Sequence, residues 1–461
     1  MNRNYQEFYW HKLDNAAKIY SCVSTDAITN VFRFSTMLTE PVQKAVLERA
    51  LKAALEELPA FRVKMRRGLF WYYFETNFAE PILRAERTFP CSRIDKSTNN
   101  CYLFRMTYIG CHIHFEVFHA LADGNGAVIF FKTVLYHYLR ELYPEKIPTG
   151  LHLYQDLTSL RALEENSFAK YVRKTPDMIR KAEKAFHIDG VRMFRGEMRV
   201  IHAYCNVRDV IRLAKEMGVT LTAYLAGLMA YSIYTQAQRH SRSRGPIIIN
   251  VPINLRNLYD SDTVRNVFAC INLRFDPDKF PLHTGDDLFA YFVEETARQM
   301  KEGQSQEALS TQFSQNVKAE QNIFLRFVPL FLKNPVLQYM FRRNEKGQTC
   351  TVSNMGRIEL PEEMRPFFRR FEVTLSATPA QPVKLGIVSY GDILACSFGS
   401  RIEETDIQRF FLRFLREKGV EFTIGCNEVT ENETVQQMPD EDRKSSGEMS
   451  SVRGDTGNAG Q

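Results

Sequence analysis

The stretch HIHFEVFHALADGNG, residues 112–126, is an alternating strand that runs directly into a glycine-containing loop, with a helix expected from about Gly126 to Leu142. The two-residue period of a strand puts Ile113, Phe115, Val117 and His119 on one face and His112, His114, Glu116 and Phe118 on the other. His119 thus ends an apolar face at a sheet edge. A partly desolvated imidazole there disfavours its cation and can accept a proton near neutral pH, as a base acting on an alcohol, amine or thiol must. The plainer reading is a core histidine satisfied by backbone, with Asp123 capping the following helix. HxxxD alone recurs by chance in roughly half of chains this long, and a following glycine reduces that to a few per hundred. Context therefore matters more than the string.

Outward from this junction the chain mixes strands and long helices, an α+β pattern without any repeat of 20 to 50 residues. Val31 to Leu38 alternates as a strand. A helix follows from Pro41 to Leu58, with Val42, Val46, Ala50, Leu51, Ala54 and Leu55 on one face. Phe61 to Thr76 reads as a hairpin turned near Arg67 and Gly68, and 101–109 with 111–118 as a second around Gly110. A second cycle begins with a strand at Met198 to Asn206, a short helix at Asp209 to Met217 and an apolar helix at Thr220 to Gln236. Strands are expected at 246–254, 267–275, 348–354, 370–376, 383–390 and 393–398, with helical segments between 283 and 341. The last helix starts at Thr405, which forms a capping box with Gln408. The domains expected are an N-terminal lobe over 1–160, a crossover over 161–189, a C-terminal lobe over 190–425 and a disordered acidic tail over 426–461.

Composition narrows the class. The 461 residues are 44% apolar, 12% aromatic and 25% charged, enough to bury large cores. Net charge is +6, but eight acids against three bases fall in residues 427–461, so the first 426 carry 57 bases and 46 acids. This basic body suits phosphorylated ligands or acidic partners. Nucleic-acid binding is not expected, because clusters such as Arg239, His240, Arg242 and Arg244 lack a recognition motif. Nine cysteines without CxxC indicate a reduced, cytoplasmic setting, and MNRNYQEFYWHKLDNAAKIY offers no export signal. The uncharged run from Met217 to Gln238 reads as a buried core helix. Arg326, Pro329, Lys333, Asn334 and Pro335 make Ile323 to Phe341 a hydrophobic lid or pocket wall. Membrane contact is not expected.

No GxSxG, GxxxxGK[ST], HExxH or GxGxxG pattern occurs, which removes the main support for serine hydrolase, P-loop and Rossmann readings. His112, His114 and Glu116 share one strand face and have the chemistry of zinc or iron ligands, but no fourth ligand is placed, and a solvent-facing polar strand explains the same residues. The expectation is no metal. Cys111 and His112 point to opposite faces, which disfavours a Cys-His nucleophile.

Over roughly residues 10 to 425 the chain resembles the chloramphenicol-acetyltransferase-like superfamily, which includes alcohol acetyltransferases, wax ester synthases and the condensation domains of peptide synthetases. The resemblance rests on HALADG at 119–124, VPINLR at 251–256 with RNVFACINLRF at 265–275, and TVSNMGRI at 351–358. It is nearest to freestanding alcohol acetyltransferase-like proteins. Phe118 stands where many relatives carry the first histidine of HHxxxDG, and no DFGWG segment occurs.

The resemblance implies two similar lobes forming a V around a central tunnel, and a monomer. It implies His119 as general base, and Asp123 as a structural aspartate turned from the histidine towards an arginine, for which Arg256 is the match. Gly124 and Gly126 would leave room for a pantetheine arm, and Ser353 or Asn354 would donate to the oxyanion. The activity implied is transfer of an acyl group from acyl-CoA to an alcohol, with no permanently bound cofactor. Two alternatives stay open: a condensation enzyme drawing on an acyl carrier protein to form an amide or ester, and a non-catalytic relative that binds a ligand or partner.

Overall fold

A computed structural model describes residues 10–151, 153, 184–194, 196–237, 245–256, 266–280, 285–305, 309 and 328–427. Most of the expected crossover, the 239–244 basic cluster and the tail beyond 427 lie outside these residues.

The N-terminal sheet is built around the hairpin β6 (Phe104–Ile109) and β7 (His112–Phe118), with β2 (Val31–Leu38) antiparallel to β7 and the short β5 (Leu83–Ala85) parallel to β6. Its apolar face packs under α2 (Lys44–Glu57) and α3 (Gly124–Leu142), where the Phe115 ring lies 5.3 Å from Phe130 and 5.7 Å from Phe131. Alternation along β7 therefore does what its sequence implies, and it delivers His119 to the mouth of α3. A separate three-stranded sheet joins β1 (Trp10–Lys12) to the hairpin β3 (Val63–Arg67) and β4 (Tyr72–Thr76), beside α1 (Asn15–Val23).

The C-terminal sheet has seven strands in the order β10-β9-β11-β13-β14-β8-β15. They are β8 (Arg199–Asn206), β9 (Ile247–Asn254), β10 (Phe268–Phe275), β11 (Cys350–Arg357), β13 (Val383–Tyr390), β14 (Ile393–Ser400) and β15 (Thr423–Cys426). One core cluster unites this sheet with α4 (Val207–Glu216), α5 (Leu221–Gln236), α6 (Asp286–Gly303) and α8 (Asp406–Glu417). α5 is buried along most of its length and meets α4 at an 84° bend. Among the described residues no single helix is long and apolar enough to cross a membrane. Helix α7 (Leu330–Glu345) leans on α1 and the β3–β4 hairpin.

Strand β12 (Phe368–Leu375) leaves the half of the chain in which it is encoded. It pairs antiparallel with β2, Phe371 opposite Thr36 and Leu375 opposite Phe32, and so edges the N-terminal sheet. It also packs across β13 and β14. That stacking is unusually close: a Cβ on Gly386 would sit 2.2 Å from the Val373 carbonyl oxygen, and one on Gly399 would sit 2.6 Å from that of Leu375. Glycine is required at both positions because backbone occupies the space of a side chain.

The polar face of β7 is not solvated, which corrects one sequence reading. Glu116 is fully buried and His114 is buried. Glu116 accepts from Arg33 Nε at 2.8 Å, Arg105 Nε at 2.7 Å and the Cys91 amide at 2.7 Å. His114 Nδ1 lies 2.8 Å from the Ser35 hydroxyl. Two guanidinium groups and an amide thus occupy the carboxylate that the metal reading needed. The seam continues across to the other sheet, where the Tyr204 hydroxyl donates to Glu372 at 2.7 Å and Arg370 Nε donates to the same oxygen at 2.9 Å.

The capping box at the last helix is also corrected. Thr405, at φ −120° and ψ 15°, makes no cap hydrogen bond, and its hydroxyl instead accepts from Arg409 at 3.2 Å. Gln408 turns inward and is buried.

Gly386→Ala tests the close stacking. Overpacking against backbone should cost about 2 kcal/mol, read as a lowered midpoint in chemical denaturation, and an unchanged midpoint would show that the two layers separate freely.

Candidate active site

Between the two sheets lies a cavity of about 450 Å³, lined from the N-terminal side by Tyr20, Phe32, His119, Asp123 and Gly124 and from the C-terminal side by Asn254, Phe268, Ser353, Asn354 and Met355. His119 follows β7, its amide bonded to the Asn30 carbonyl at 2.8 Å. Its ring sits among aromatics, with centroids 4.7 Å from Tyr20, 5.0 Å from Phe32 and 5.5 Å from Phe268.

The tautomer of His119 follows from its partners. Nδ1 is 3.1 Å from Asn266 Oδ1. The other end of that amide, Nδ2, donates to Asp14 Oδ2 at 2.9 Å, so the carbonyl end must face the histidine. Nδ1 then carries the proton and Nε2 keeps its lone pair. Asp14 is anchored in turn, because its Oδ1 caps α1 by accepting from the Ala17 amide at 2.7 Å. Burial pushes the His119 pKa below its ordinary value, against Asp123, Asn266 and Asp14, which favour the cation. A neutral ring with an open Nε2 in a cavity can take a proton from a hydroxyl, amine or thiol brought to it.

Asp123 turns away from this ring. Its Oδ1 caps α3 through the Gly126 amide at 3.0 Å, and its Oδ2 accepts from the Val267 amide at 2.9 Å. Arg256 grips both oxygens, Nη1 to Oδ2 at 2.8 Å and Nη2 to Oδ1 at 2.9 Å. The pair is buried, with side-chain exposures of 11% and 5%, and it joins the start of α3 to the loop after β9. Arg256 stands behind the cavity wall, on the far side of Asp123.

Gly124 lies where a Cβ would meet the Met355 side chain at 2.5 Å, so the space above it belongs to a methionine of β11. Asn354 is tied at both ends of its amide, Nδ2 to the Thr222 hydroxyl at 2.9 Å and Oδ1 to the Gly356 amide at 2.8 Å. Ser353, beside it on β11, is buried at the cavity wall, and among the described residues its hydroxyl has no hydrogen-bond partner. Asn266, Asp14, Tyr20 and Phe268 carry much of this geometry and have no role in the sequence reading. Asn266 and Phe268 lie within RNVFACINLRF, but nothing local says which side chain faces a histidine 147 positions away.

No family model matches the sequence, and no curated protein matches it. Solved structures do share the fold. TRI3 trichothecene 15-O-acetyltransferase from Fusarium sporotrichioides superposes with a TM-score of 0.58 at 12% identity, covering 89% of this chain and 94% of its own. TRI101 from F. graminearum, complexed with coenzyme A and T-2 mycotoxin, gives 0.56 at 9% identity over 90% and 99%. A mutant starter condensation domain of rhizomide synthetase RzmA, in complex with C8-CoA, gives 0.55 at 14% identity over 90% and 98%. The chain therefore has the two-lobed α+β fold of acyltransferases and condensation domains that the sequence resemblance implied.

Arg256→Ala leaves a buried carboxylate with only its two backbone donors. Stability should fall by on the order of 3 kcal/mol, seen as a lower melting temperature, and an unaltered melting curve would mean the ion pair contributes nothing.

Proposed function

We propose that this protein is an acyl-CoA-dependent O-acyltransferase that esterifies an alcohol, with His119 as general base. One observation carries the reading: an imidazole with its Nδ1 proton fixed by Asn266 and its Nε2 open to a cavity between two lobes. The shared fold supports it, since two of the superposed structures hold coenzyme A or C8-CoA. The basic body supports a phosphorylated donor.

In the step proposed, Nε2 takes the acceptor hydroxyl proton as the oxygen attacks the thioester carbonyl. The resulting tetrahedral oxyanion collapses, the C–S bond breaks, and the proton passes from the imidazolium to the leaving CoA thiolate. The oxyanion needs a donor. Ser353 suits this better than Asn354, because its hydroxyl is uncommitted whereas the Asn354 amide is held by Thr222. Asp123 and Arg256 are assigned a structural role, holding the loop that carries the base. The nine free cysteines support a reducing, cytoplasmic compartment, and both lobes of the cavity come from one chain, which supports action as a monomer.

Acyl transfer is to be read as CoA thiol release and product mass, with several acyl-CoAs and a mixed pool of alcohols and amines. His119→Ala should lower kcat by roughly 10² to 10⁴ and leave the melting temperature nearly unchanged. Full turnover by that variant removes His119 from the chemistry, and product formed only from a phosphopantetheinyl carrier moves the donor to a carrier protein.

The pH profile has a definite sign. A base whose pKa is lowered from 6.5 stays neutral further into acid, so the acid limb of kcat/KM should fall below pH 6.5. A limb above that value would indicate a cation stabilised in the folded protein. The same shift makes stability fully present above pH 6.5 and lost as pH drops towards the folded-state pKa, because the unfolded chain binds the proton first.

A further inference from the structure

An ordinary surface helix buries its apolar side and exposes a polar one, whereas α7 is apolar on both sides, with Leu330, Leu337 and Phe341 packed inward. Its buried side carries a lysine: Lys333 is 5% exposed, donates from Nζ to the Phe70 carbonyl at 3.0 Å, and sits 3.4 Å over the Trp71 ring. Leu330 is buried beside it against Cys22 and Val23 of α1, and Gln338 donates to the Cys22 carbonyl at 2.9 Å.

The outward side is apolar as well. Phe331, Leu332, Val336, Tyr339 and Met340 are each between 55% and 65% exposed. At 100° per residue they share one continuous arc with Pro335, and the charges on that arc are Arg342 and Arg343 in the last turn, both exposed. The surface continues onto the β3–β4 hairpin, where Leu69 is 65% exposed and its carbonyl accepts from the Leu330 amide at 2.8 Å. Arg67 stands exposed next to that tip, while its neighbour Arg66 is held by Glu75 at 2.8 Å.

We propose that this face is a docking surface for an anionic lipid bilayer, with α7 lying in the interface plane and the arginines meeting lipid phosphates. An outward arc of aliphatic and aromatic side chains with a cationic rim is the pattern of interfacial helices. Charge selects the occupant. The exposed cations on and beside the arc, Arg342, Arg343 and Arg67, match the phosphates of an anionic surface, and a second copy of this chain would offer them only the same cationic, apolar face. This proposal departs from the expectation of no membrane contact. The reading of this segment as a pocket wall applies to the opposite side of the helix, since Phe341, Asn344 and Glu345 line the cavity that holds His119. Docking would bring that wall to the surface where apolar molecules concentrate. The proposal rests on the surface alone and stands apart from the acyl-transfer reading.

The test is sedimentation of the full chain with phosphatidylcholine vesicles, with and without phosphatidylserine. The chain should sediment with the serine-containing vesicles and much less with phosphatidylcholine alone. Leu332→Glu with Val336→Glu should reduce binding by about tenfold or more with an unchanged melting curve. Arg342→Ala with Arg343→Ala should weaken it and flatten its salt dependence. Failure of the wild-type chain to sediment, or binding unaffected by the two glutamates, overturns the proposal. So does light scattering that shows a dimer which the glutamates dissociate, because the face would then cover a second copy.

Discussion

The Asp123 carboxylate is the joint on which the cavity depends. It is almost wholly buried, where an unpaired carboxylate would be too costly to keep, so its oxygens must be fully satisfied. They are: two backbone amides and a bidentate guanidinium converge on it. The donors come from opposite sides, Gly126 from α3 and Arg256 with Val267 from the two ends of the segment that joins β9 to β10. Satisfying one buried charge therefore fixes the His119 loop against the segment that carries Asn266. The next residue after Asn266 is itself a donor to Asp123, so base and tautomer-setting amide share one anchor.

The same pairing explains why a nearby carboxylate does not turn His119 into a cation. Asp123 and Asp14 both favour the protonated ring, yet burial prevails and the net shift is downward. Asp123 already has a guanidinium on both oxygens, and Asp14 is joined to the ring through the neutral Asn266 amide. The negative charges near the imidazole are thus directed elsewhere, while desolvation by Tyr20, Phe32 and Phe268 acts on the ring itself. Were Arg256 absent, Asp123 would become the nearest uncompensated charge, and the balance would tilt towards the imidazolium.

Periodicity made much of the fold legible. The strands at 31–38 and 383–390 fall where alternation puts them, and the β7-loop-α3 junction is set by local pattern alone. The hexad and VPINLR identify both members of the Asp123–Arg256 pair, because each lies at an element end in a recognisable string. What was not legible is long-range. Nothing in 368–375 says that β12 pairs with β2 rather than with a strand of its own half, since an alternating strand fits either sheet equally well. His114 and Glu116 looked solvated because polarity is a proxy for water, and here the covering layer is itself polar. Lys333 counted in the sequence only against a spanning helix, and nothing local says that it turns inward, where a backbone carbonyl and an indole ring accommodate it.

Strand β12 also shows why the polar seam sits where it does. A buried ionic cluster seldom adds stability over well-packed apolar residues, so its presence calls for another use, and register is the best attested. β12 is an edge strand brought against two sheets at once, pressed close by Gly386 and Gly399, and glycines impose no register of their own. Along it Glu372 faces Tyr204 and Arg370, while Phe371 stacks 5.0 Å from Tyr390 and 6.3 Å from Phe131 of α3. A slip of one residue would exchange these faces, forcing Glu372 among phenylalanines and Phe371 into the seam. Leaving that carboxylate unpaired in an apolar layer costs more than the seam contributes when intact, so the polar residues hold the strand in position mainly by penalising every other placement. Val373 and Leu375, which line the cavity beside His119, take their place from that register.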